Sequence, residues 1–117
     1  MLEKIRKLPD DIKLISNEGP YLLFHVNKFP YLIRELNQDA PEWDFAVYGS
    51  DKTDQAQNDF SQGRAALILF PSIVDDFSTL YGDKAAVQVE KLTEGLFLYY
   101  SGEDGDIYFY QQPDFVP

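Results

Sequence analysis

The chain has no cysteine and only one histidine, one methionine and one tryptophan in 117 residues. Without Cys there is no disulfide framework, thiolate zinc site, iron–sulfur cluster or cysteine nucleophile. That composition fits a reducing compartment, so a cytoplasmic location is expected. One His excludes a zinc site built from several imidazoles. Bases are also scarce, with 10 Lys plus Arg against 20 Asp plus Glu and a formal net charge of −10. Beyond Lys13 they are scattered singly, so the clusters that grip nucleic acid or an anionic membrane surface are missing. The longest apolar runs, such as 65–71, reach about a third of a membrane span. Residues 1–13 mix Lys4, Arg6 and Lys7 with Glu3, Asp10 and Asp11 and lack the apolar stretch of a secretory signal. No G-x-S-x-G, phosphate-binding loop or G-x-G-x-x-G occurs.

What remains is a chain able to fold. Hydrophobic residues make up 44 % and aromatics 15 %, including 9 Phe and 8 Tyr, whereas disordered acidic chains are poor in aromatics. The length fits one globular domain over residues 1–117. Residues 1–8 read as a short amphipathic helix stopped by Pro9, and 11–16 as a first strand. Residues 17–20 form a turn cluster, and 21–26, almost wholly apolar, read as a central strand buried on both faces. Asn27 then caps a helix over 29–37 with Pro30 in its first turn, ended by Ala40-Pro41. A strand over 43–48 follows, closed by Gly49-Ser50.

The polar stretch 51–64 is either a long loop or a frayed helix. Residues 65–70 read as a second apolar strand. A helix from Pro71-Ser72 to Tyr81 buries Ile73, Val74, Phe77 and Leu80 and ends at Gly82. Residues 84–92 alternate as a half-exposed strand. Strands over 95–100 and 107–111 are joined through the glycine-containing segment 101–106 as a hairpin, and 113–117 is a tail. These elements predict an α+β fold: a mixed or mainly antiparallel sheet of about five to seven strands, two short helices packed on it and a C-terminal β-hairpin. Two arrangements fit, a ferredoxin-like split β-α-β core and two helices on one face of an antiparallel meander.

His25 sits in the most apolar segment. It reads either as a buried, hydrogen-bonded imidazole or, with Tyr21 and a carboxylate in a cleft, as part of a ligand-binding or enzymatic site. Asp75-Asp76 complement a helix dipole. Glu103, Asp104 and Asp106 lack the ligand register of a calcium loop, and Asp51, Asp54 and Asp59 have the same defect. No metal, cofactor or catalytic group is therefore expected. The acids do have a pattern: seven fall within 35–63 against Lys52 alone, and five within 92–117 against no base. The second region also holds Tyr99, Tyr100, Tyr108 and Tyr110. Strand alternation sets Tyr99 opposite Tyr100 and sets Tyr108 and Tyr110 opposite Ile107 and Phe109. Tyrosine beside carboxylate offers rigid apolar area plus acceptors for Arg and Lys, while cross-strand aromatic packing is the purely structural reading.

A small, Cys-free, acidic α+β chain with a Tyr-and-carboxylate surface resembles the immunity proteins that bacteria keep against their own toxins. The resemblance is one of class and carries no site motif. It implies a non-enzymatic inhibitor that binds a cationic, nuclease-like toxin domain one to one. The residues expected to carry that contact are Asp51, Asp54, Asp59, Tyr99, Glu103, Asp104, Asp106, Tyr108 and Tyr110.

Overall fold

The computed structural model describes residues 1–36, 44–49 and 51–115. The chain runs through α1 (Leu2–Arg6), β1 (Lys13–Ser16), α2 (Pro20–Val26), β2 (Tyr31–Leu36), β3 (Phe45–Val47), α3 (Lys52–Ser61), β4 (Ala65–Leu69) and α4 (Ile73–Tyr81). A 3-10 turn (Gly82–Lys84), α5 (Ala85–Thr93), β5 (Phe97–Gly102) and β6 (Gly105–Phe109) complete it. The fold is α+β with a mixed, open six-stranded sheet in the order β3-β2-β1-β4-β6-β5. β1 pairs in parallel with both β2 and β4, while β3, β6 and β5 are added antiparallel. The C-terminal hairpin is present.

Three elements differ from the sequence reading. Residues 21–26 are not a buried strand but the helix α2, and only Leu22 of it is buried. Pro20 at its first position presets φ, and Asn27, at φ 57, ends it by donating its N–H to the Leu23 carbonyl. Asn tolerates the left-handed region that closes a helix, so Asn27 terminates this helix and does not start the next. Residues 29–37 were expected as a helix, but Tyr31–Leu36 forms β2, with Tyr31 opposite Ile15 and Leu32 opposite Ser16. Residues 84–92 were expected as a strand and form α5. Ala85, Val89 and Leu92 follow helical spacing; Ala85 and Leu92 are buried, and Val89 packs on the core. The expected helix end at Ala40-Pro41 and the strand start at Trp43 lie outside the described residues, as do Ser50 and the last two residues of the expected tail.

Neither expected topology holds. β1-α2-β2 joins direct neighbours, so this unit is not split. It is the connection from β4 through α4 and α5 to β5 that spans an intervening strand, β6. More helices form than the two expected, and they cover both faces. Ala56 and Phe60 of α3, Ile73 and Phe77 of α4, and Leu92 of α5 pack on Ile15, Ile33, Phe45, Val47, Leu67 and Leu69. On the opposite face, Ile5 of α1 and Leu22 of α2 pack on Leu14, Ala66, Ile68, Ile107 and Phe109. β4 sits between the two layers and is buried along its whole length, which accounts for its unbroken apolar run.

The second core draws on β1, β4 and β6 but on no residue of β2 or β3. Among the described residues, Tyr48 and Phe29 beside β2 and β3 are 60 % and 59 % exposed.

Candidate functional site

β6 alternates as expected: Ile107 and Phe109 belong to one core, and Tyr108 and Tyr110 pack on the other. β5 does not, because its register with β6 shifts between Leu98 and Tyr100. A bulge inserts a residue and breaks the alternation, so Tyr99 and Tyr100 both pack against the second core. Tyr99 contacts Phe109 and Phe115 edge-on at 5.1 and 5.9 Å. Tyr110 meets Phe60 at 5.9 Å on the opposite face. The expected tyrosine surface is thus divided between two faces, and these rings largely serve packing.

The hairpin acids are largely engaged inside the chain. Asp104 accepts from the Met1 amino group and from the Tyr100 hydroxyl, the latter at 3.1 Å. The amino group's hydrogen bond holds the Asp104 carboxyl below its usual range. Reciprocally, the bond to Asp104, with burial, raises the Tyr100 phenol. Asp106 accepts from Ser101 at 2.7 Å and from Tyr108 at 3.5 Å. Burial, reinforced by Asp106, raises Tyr108. Glu103 is exposed at the tip of the turn.

The second acidic set lies elsewhere. Asp51 and Asp54 are exposed at the start of α3, directly after β3, the edge opposite β5. Asp51 has φ 65 and makes no side-chain cap. Asp59 is structural: it accepts from Tyr31 at 3.0 Å and pairs with Arg64 at 3.3 Å. The structure therefore does not gather the nine expected contact residues on one surface.

His25 lies on α2, half-exposed, with its ring 4.4 Å from Tyr21 and 5.0 Å from Phe24; its carbonyl accepts from Arg6. It lines none of the cavities described below. Among the described residues no group of three His, Cys, Asp or Glu is placed to hold a metal. No helix among them is long and apolar enough to cross a membrane.

Two features were missed in the sequence. The first is a polar knot at the carboxyl ends of β1 and β4, where the connections diverge to either side of β1. Asn17 accepts from the Phe70 N–H at 2.9 Å and donates to Ser72 at 3.3 Å and Asp76 at 3.1 Å. Ser72 lies 2.9 Å from Glu18 and 3.3 Å from Asp76 as a donor. Open α/β sheets tend to bind ligands at such a divergence, but here the side chains satisfy one another. A cavity of about 470 Å³ opens beside it, lined by Asn17, Glu18, Arg34, Tyr48, Asp76 and Leu80 among others. The second is a cavity of about 550 Å³ beside β1, β2 and the start of α3, lined by Lys13, Phe29, Leu32, Tyr48, Lys52 and Gln55 among others. Its sequence signal was Lys52, the single base within 35–63. The partners it meets come from segments no local pattern connects.

No protein-family model matches the chain, and no curated protein or solved structure is significantly similar to it.

Proposed function

We propose that this chain is a non-enzymatic, cytoplasmic binding protein of the immunity type, which neutralises a cationic, nuclease-like toxin domain by one-to-one contact. The observation that carries the reading is the free edge of β5. It is a six-residue strand at the end of the sheet, with no charged residue, Leu98 half-exposed and no further strand beside it among the described residues. Such an edge templates pairing with another chain. Acids flank it: Glu94 and Glu103 are exposed on either side, in a stretch from 92 to 117 that has no Lys or Arg. Two copies of this chain would bring like charges together, so a basic partner is favoured over self-pairing. Asp51 and Asp54, at the opposite edge and beside Lys52, take no part in this contact.

The reading is tested by recovering partners from the source cell at low salt, then measuring inhibition and association for the recovered protein. The expected partner is a basic nuclease-like domain, inhibited at equimolar ratio. Its association slows by about an order of magnitude for the Glu94→Gln, Glu103→Gln double variant. An acidic partner, or association indifferent to these substitutions, would overturn it.

A further inference from the structure

The cavity between β1, β2 and the start of α3 has a chemistry opposite to that of the whole molecule. The chain carries 20 acids, yet among the described residues none lines this cavity, while Lys13 and Lys52 both do. Four other bases are occupied elsewhere. Arg34 pairs with Glu35 and Arg64 with Asp59. Arg6 donates to the His25 carbonyl, and Lys28 to the carbonyls of Asp10 and Ile12. Lys13 and Lys52 make no ion pair with a described residue. Around them stand Phe29, Leu32 and Tyr48, of which Phe29 and Tyr48 are exposed, and the amide of Gln55.

Apolar walls with a few polar groups, in a volume of about 550 Å³, match the size and character of small-molecule sites. An acidic protein repels free anions, so cations that keep a pocket clear of carboxylates create a local exception to its own field. Ammonium groups beside rings and aliphatic surface suit a ligand with a negative head and a flat apolar body.

We propose that this cavity binds a small aromatic carboxylate, its carboxylate held by Lys13 and Lys52 and its ring seated against Phe29, Leu32 and Tyr48. This site does not rest on the docking reading, since it lies at the opposite side of the sheet from β5. It is also distinct from a cleft at His25.

The test is a titration of the full chain, followed residue by residue by backbone amide NMR. The probes are 2-naphthoate, the neutral 2-naphthamide and the cationic 2-naphthylmethylamine. Naphthoate is expected to shift Lys13, Leu32, Tyr48, Gly49 and Lys52 saturably and to bind at least about tenfold more tightly than the amide. The amine is expected to bind weakest. In the Lys13→Gln, Lys52→Gln double variant the preference for naphthoate over the amide should vanish, while Lys84→Gln, whose lysine does not line the cavity, leaves it intact. Tyr48→Ala should weaken both ligands by about tenfold; its exposed side chain makes it a variant whose folding is readily checked by circular dichroism. Equal binding of the three probes, a preference that survives loss of both lysines, shifts centred elsewhere, or no saturation at millimolar ligand would overturn the proposal.

Discussion

Asp59 shows how a residue's role depends on what reaches it. In the sequence it is one of seven acids in a polar stretch; in the fold both its oxygens are used, one by Tyr31 and one by Arg64. Arg64 lies only five residues away, but nothing local announces Tyr31, 28 residues away on a strand. The same holds for Tyr100, which shares a core with Tyr99 because of a bulge that strand alternation does not reveal. Tyr108 and Tyr110, on the regular strand, were legible. These contacts have a measurable signature. Tyr31, Tyr99, Tyr100 and Tyr108 are all raised above the ordinary value of 10.0, Tyr31 and Tyr99 mainly by burial. A phenol that holds its proton more tightly when folded contributes stability below pH 10.0 and loses it as pH climbs through the raised folded value. Denaturant titrations should therefore show a loss of stability setting in above about pH 10, with phenolate absorbance appearing late and together with unfolding. Four tyrosines ionising at the ordinary value in the folded chain would contradict this. Phe60, fully buried between Phe45 and Tyr110, gives a plainer prediction: Phe60→Ala should cost about 3–5 kcal/mol by chemical denaturation.

Elements were legible where sequence spacing and tertiary environment agree. β4 and α4 occupy the expected positions because an unbroken apolar run suits a strand covered on both faces, and because Pro71-Ser72 and Gly82 mark the two ends of the helix. They were misread where a short apolar run fits either structure: 21–26 became helix and 31–36 became strand, so the expected order was shifted by one element. The turns that fix these connections can be tested directly. Gly105 has φ 142, and a Cβ there would lie 2.7 Å from the Leu69 carbonyl oxygen and against the Met1 thioether. Gly105→Ala should cost about 1–3 kcal/mol, through overpacking and backbone strain together. Asp51, at φ 65 with no side-chain cap, is an L-residue in a conformation that glycine adopts freely. Asp51→Gly should leave stability unchanged or raise it by up to about 1 kcal/mol, read as a shift in melting temperature, whereas Asp51→Val should lower it.

For the whole molecule, the net charge of −10 was legible at once, but its distribution was not. The two acidic stretches of the sequence end at opposite edges of the sheet, and several acids in them are used internally. The exposed carboxylates that remain near β5 are Glu94 and Glu103, while the opposite side holds a cavity lined by two lysines and, among the described residues, by no carboxylate. A surface assembled from strands so far apart in sequence depends on the β3-β2-β1-β4-β6-β5 order, which follows from the crossovers and not from any local pattern. The central claim is that a basic partner is bound along the β5 edge. Hydrogen exchange of the chain with and without its captured partner tests it most directly. The amides of 97–102 should gain protection in the complex, that gain should shrink steeply as salt is raised, and Leu98→Lys should abolish it. Protection confined to α3 and the Asp51–Asp54 turn, or none at 97–102 in a complex that still forms, would contradict the claim.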